Sequence, residues 1–167
     1  MGGGYYLNSR AYSQFKWSKK EKNNFGAKKL IALEKTDIRI LEFVTAVLAV
    51  YVERKRLKGT TVQLCIDNSG AWKWLTTRKM THLWGKGWMN LLDRVCADYD
   101  IDIVPVCISG VENPVADALS RYKSLESGSS KVSMLKGLKR MTSPCSKWRE
   151  LVWTGANKRQ SDSKAER

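Results

Sequence analysis

Three carboxylates in this 167-residue chain stand where a chemical role competes with a plain one. Glu42 is the only charge in the run Ile-Leu-Glu-Phe-Val-Thr-Ala-Val-Leu-Ala-Val-Tyr-Val, residues 40–52. A helix that apolar nearly all round packs on more than one side. An ionised carboxylate within it needs a cation, hydrogen bonds or solvent. Asp67 follows the apolar, β-branched run 61–66 and so sits at the carboxyl end of a strand, where open α/β sheets place their ligands. Asp117 lies in Pro-Val-Ala-Asp-Ala-Leu-Ser, among small residues that let another element approach closely. Carboxylates from two helices and a strand end can converge as hard oxygen ligands. Such ligands select Mg2+ or Mn2+ and suit phosphodiester chemistry.

Each carboxylate also has a plainer reading. Glu42 can lie at an exposed helix end, paired with Arg39 or Lys35. Asp67 can cap the next helix, although Asn68 or Ser69 would cap it equally well. Asp117 can be a surface residue early in its helix.

The elements that must position these groups follow from periodicity and punctuation. Residues 3–7 and 11–17 read as two strands joined by Asn8-Ser9-Arg10, and residues 18–36 as a long basic loop. A helix begins at Thr36 or Asp37, and Arg54-Lys55-Arg56 near its C-terminus suits the helix dipole. Strand 61–66 leads into a short helix through about Leu75. Trp84, Trp88, Leu91, Leu92, Val95 and Tyr99 then recur at helical spacing. Residues 102–108 form a strand that Pro105 confines to a sheet edge. Asn113 and Pro114 open a last helix to about Arg121. This order predicts an α/β fold: a mixed sheet, with an antiparallel hairpin and parallel strands, covered by helices.

The formal net charge is +14, which favours a polyanionic partner, nucleic acid above all. Residues 1–121 carry 19 basic and 12 acidic side chains, and residues 122–167 carry 11 and 4. The second stretch is rich in Ser, Gly and Lys. It reads as a mostly disordered basic tail after a domain of residues 1–122, with a short amphipathic helix at 132–141.

Other classes fall away. The longest strongly apolar run, 43–52, is far shorter than the ~20 residues of a membrane span. The start, Met-Gly-Gly-Gly-Tyr-Tyr, lacks a signal-peptide layout, so an intracellular protein is expected. Cys65, Cys96, Cys107 and Cys145 form no CxxC pair and have no nearby histidine, which argues against zinc. They are expected to be reduced thiols, with Cys65 and Cys107 buried in strands. His82 is the only histidine, so a multi-histidine metal site is excluded.

Taken together, Ile40-Leu41-Glu42, Ile66-Asp67-Asn68-Ser69 and Gly110-Val111-Glu112-Asn113-Pro114-Val115-Ala116-Asp117-Ala118-Leu119-Ser120-Arg121 resemble the ribonuclease H domain of retrotransposon reverse transcriptases. Asp67-Asn68 and the Leu-Glu helix look most like the DIRS type, the tyrosine-recombinase retrotransposons. The resemblance spans residues 3–122. It implies a five-stranded mixed sheet with helices on both faces, and two-metal hydrolysis of the RNA strand of an RNA–DNA hybrid. By motif, Glu42 and Asp67 would hold the metal on the leaving-group side, and Asp117 the metal that activates water.

The chain departs from the family at its start. The family's first carboxylate lies on a strand before the Gly-rich one, and here no acidic residue precedes Glu21. The family's usual Pro before Gly110 is Ser109. The expectation is therefore a sheet one strand short, weak Mg2+ binding and impaired cleavage, with an upstream reverse transcriptase segment as a partner. The rival expectation is a non-catalytic nucleic-acid-binding remnant of the same fold.

Lys73, Arg78, Lys79 and Lys86 are interleaved with Trp72, Trp74, Trp84 and Trp88, and Asn68 and Ser69 adjoin them. This stretch is the expected nucleic-acid contact, with cations on phosphates. Trp84 and Trp88 fall on the apolar stripe and are expected in the core. Trp72 and Trp74 cannot both face inward from one short helix.

Overall fold

The computed structural model of the chain describes residues 2–7, 11–16, 36–80, 83–120 and 139–140. Its centre is helix α1 (Thr36–Glu53), whose Phe43, Val44, Val47, Leu48 and Val50 are almost wholly buried. Thr45, the polar residue in the middle of this apolar surface, satisfies its hydroxyl locally by donating to the Leu41 carbonyl at 2.7 Å. The helix can therefore be packed on several sides without an orphaned hydroxyl.

Strand β1 (Gly2–Leu7) pairs antiparallel with β2 (Ala11–Lys16), from Gly2 opposite Lys16 to Leu7 opposite Ala11. Beyond α1, strand β3 (Thr61–Ile66) leads to helix α2 (Ser69–Thr77), helix α3 (Leu83–Tyr99) and strand β4 (Asp102–Cys107). β3 and β4 run parallel, from Thr61 opposite Asp102 to Ile66 opposite Cys107. A single 3-10 turn (Gly110–Glu112) then precedes helix α4 (Pro114–Ser120). Strand β5 (Lys139–Arg140) pairs parallel with β2.

Helices α2 and α3 pack on α1, and together they bury Ile66, Leu75, Trp88, Leu92, Val95 and Ile103. Met80 lies against Gly85 so closely that a Cβ there would collide with its side chain. That contact accounts for a glycine in the first turn of α3.

The α/β class holds, but the expected single sheet does not. Among the described residues β1, β2 and β5 form one sheet, and β3 and β4 another. Bonds from Asp102 N to Thr60 O and from Ile108 N to Ile66 O turn the even-numbered residues of β3 toward β4. Alternation then directs the backbone groups of Thr61, Gln63 and Cys65 to the opposite edge, where no described strand meets them. On the outer edge of β4, Pro105 lacks an N–H and its carbonyl accepts from Trp72 Nε1 at 3.2 Å. That edge is blunted, as expected of a strand proline.

Helices on both faces were also expected. For the β3–β4 pair, Val62, Leu64 and Ile66 face the helices, while Thr61, Gln63 and Cys65 are exposed on the other side. Cys65 and Cys107 are accordingly exposed thiols and not buried ones. Helix α4 packs on the hairpin instead.

Trp88 is in the core as expected, while the side chain of Trp84 lies outside the described residues. Trp72 and Trp74 are both half-buried, but only Trp74 packs against the core. Trp74 meets Phe43 edge-on at 6.0 Å, while Trp72 reaches sideways to β4. Lys139 and Arg140 are strand where a basic helix over 132–141 was expected, because β2 offers them a pairing partner. The rest of the expected tail, and the basic loop up to residue 35, lie outside the described residues. Among the described residues no helix is long and apolar enough to cross a membrane.

Candidate metal and nucleic-acid site

Asn68 organises the site. It is the N-cap of α2, and its Oδ1 accepts from Gly70 N at 3.0 Å and Ala71 N at 3.1 Å. Of the three possible caps, this one leaves Asp67 free of capping duty. The Asn68 side chain also lies near the Glu42 carboxyl and favours its ionised form.

Glu42 is half-buried on the first half of α1, and Asp67 is exposed just past the end of β3. The two are close enough to repel. Burial chiefly, and the Asp67 charge next, push the Glu42 carboxyl up to about 7, and the Asn68 side chain opposes that rise. Its Oε2 is buried with no hydrogen-bond partner. Among the described residues neither Arg39 nor any other cation forms an ion pair with it. Glu42 is thus half-buried and unpaired with Arg39, while Lys35, the other partner considered, lies outside the described residues.

An orphaned carboxylate oxygen beside a second carboxylate fits a divalent cation, which would satisfy the first and screen it from the other. Glu42 and Asp67 would hold it. Asp117 does not complete the set. It is half-buried on α4, its N–H donates to the Asn113 carbonyl at 3.1 Å, and that helix packs on the hairpin. Among the described residues no group of three or more His, Cys, Asp or Glu could hold a metal ion.

The expected nucleic-acid contacts divide in the same way. Lys73, Lys79, Lys86 and Ser69 are exposed. Arg78 is committed elsewhere: it ends α2 in the left-handed region, φ 54°, and pairs with Asp93 at 2.9 Å. Asn68 is engaged in the cap.

The sequence reading missed one contact beside the site. Arg39, one turn before Glu42, lays its side chain across Gly70. The signal was a glycine at the second position of α2 where nothing local requires one.

Protein-family models, curated proteins and solved structures hold no match to this chain.

Proposed function

We propose that the chain is a ribonuclease H-like domain of retroelement origin that binds RNA–DNA hybrid with the help of Mg2+ or Mn2+. Its ancestral reaction is hydrolysis of the RNA strand, and this chain is impaired in it. The observation that carries the reading is the partnerless, buried Oε2 of Glu42 facing Asp67 at the carboxyl end of β3. Further support comes from the motif around Asp117, the net charge of +14 and the edge of β3 that no described strand covers. A bound metal would supply an activated water and charge stabilisation at the scissile phosphate. The chain's own part is to present two carboxylates at one end of a strand, with exposed lysines on the helices that follow.

A second reading, a binding module without catalysis, is favoured by one observation. Asp117 does not join the pair, and two-metal chemistry needs metals held about 3.5–4 Å apart by shared ligands. The deciding experiment measures RNA release from a labelled hybrid, with and without Mg2+, beside binding of the same hybrid. Binding with little or no release is the expected result. Full cleavage by the unmodified chain would remove the impairment from the reading. Absence of binding to hybrid, double-stranded RNA and duplex DNA alike would remove the reading itself.

A further inference from the structure

Two helices from distant parts of the sequence meet beside the candidate site, and the meeting depends on the absence of one methyl group. A Cβ built on Gly70 would lie 2.6 Å from Arg39 Cδ and 3.3 Å from its Cγ. The Arg39 side chain therefore crosses the first turn of α2 at van der Waals contact with the backbone. A methyl group at residue 70 would force this side chain to shift.

Arg39 stands one turn before Glu42 on α1, and Gly70 follows Asp67 by three residues, so this side chain lies at the start of α2, close to the carboxyl end of β3. Arg39 is exposed. Among the described residues the ion pairs are Arg56 with Glu53 and Arg78 with Asp93, and Arg39 joins neither. Neither pair includes Glu42, its neighbour one turn on. The N–H groups of Gly70 and Ala71 are taken by the Asn68 side chain. An anion arriving here finds its free donors on Arg39 and not on the start of the helix.

A phosphodiester approaching Glu42 and Asp67 also meets two carboxylates, so a fixed cation beside them is a physical requirement for close approach. A guanidinium meets a phosphate through two parallel N–H bonds and is held in direction as well as charge. We infer that Arg39 is a positioning residue that grips a backbone phosphate of the nucleic acid next to Glu42 and Asp67, along a path that Gly70 keeps open. The plain alternative is a side chain that merely covers apolar surface with its stem and leaves its charge in water.

The inference rests on the nucleic-acid reading above, and the test separates the two. Binding of a fluorescent RNA–DNA hybrid to the full chain is measured by anisotropy over a salt series with Mg2+ present. The variants are Arg39→Ala, Arg39→Lys and Gly70→Ala, each checked by thermal melting. Arg39→Ala is expected to weaken binding about tenfold at low salt and to lower the slope of log affinity against log salt by about one. Arg39→Lys keeps the slope and recovers part of the affinity. Gly70→Ala leaves the net charge unchanged but displaces the stem, so its affinity should fall between wild type and Arg39→Ala. Unchanged binding in Arg39→Ala overturns the inference. So does wild-type binding in a folded Gly70→Ala, because diffuse charge would then be enough. A wild-type chain that binds no nucleic acid fails the functional reading instead.

Discussion

Glu42 and Asp67, far apart along the chain, meet as like charges at the carboxyl end of β3, and Asn68 is the side chain that joins their elements. The cap fixes the start of α2, and the same side chain lies near the Glu42 carboxyl, whose ionised form it favours. Stability, proton affinity and cation affinity are therefore linked through one small cluster, and each link can be measured separately.

Replacing Glu42 tests the proton link. Its carboxyl holds a proton up to about pH 7 in the folded chain, against 4.5 as the ordinary value. The folded state thus binds more protons than the unfolded state between those values. Stability is fully present below 4.5 and is lost as pH rises through 7. Glu42→Gln should match wild type near pH 4.5 and exceed it at pH 8. Discounted for nearby solvent, the gain is about 1–2 kcal/mol. Thermal melts of both proteins across this range check it, and a pH-independent difference would show that Glu42 keeps its ordinary proton affinity.

Divalent cations should reverse that loss. Mg2+ or Mn2+ between Glu42 and Asp67 favours the ionised carboxylate, so binding releases a proton near neutral pH. With two carboxylates, affinity on the order of millimolar is expected. Ten millimolar cation should then raise stability by about 1 kcal/mol. Asp67→Asn and Glu42→Gln should each abolish the effect. Equal stabilisation of both variants would place the cation elsewhere.

Asn68 separates capping from its effect on Glu42. Asn68→Ala loses the cap, costing about 1 kcal/mol, and removes the side chain that favours the ionised form of Glu42. Asn68→Asp keeps a capping oxygen but adds a third carboxylate to the pair. Its melting point should lie near wild type at pH 4.5 and below it at pH 8, and millimolar Mg2+ should restore it. A variant equally stable at both values would mean that residue 68 does not influence the proton affinity of Glu42.

Which parts of this were legible in the sequence follows from how far each interaction reaches. The spacing of Trp88, Leu92 and Val95 marks α3, and the lone Glu42 in an apolar helix marks the site, because both patterns are local. The choice among Asp67, Asn68 and Ser69 as cap was open, since all three side chains can accept the same N–H bonds. Cys65 was misread because an apolar, β-branched strand does not say which of its faces is covered. The split into two sheets, the pairing of Lys139–Arg140 with β2 and the passage of Arg39 over Gly70 all join residues distant in sequence. Periodicity carries no information about such partners.

The hairpin is tied to α1 by a bond of the same long-range kind. Glu53, only 5% exposed, accepts from Tyr5 Oη at 3.1 Å across 48 residues, and Arg56 Nη1 lies 3.5 Å from its other oxygen. A buried carboxylate with few donors is expensive to strip. Tyr5→Phe removes the hydroxyl and little else, and should cost about 1–3 kcal/mol. Glu53→Gln keeps an acceptor for Tyr5 but removes the charge that strengthens the bond. The double variant should therefore be less destabilised than the sum of the two single ones. Chemical unfolding of the four proteins gives this coupling directly. Strict additivity would show that Tyr5 and Glu53 contribute independently, and the hairpin would then owe its place on α1 to apolar packing alone.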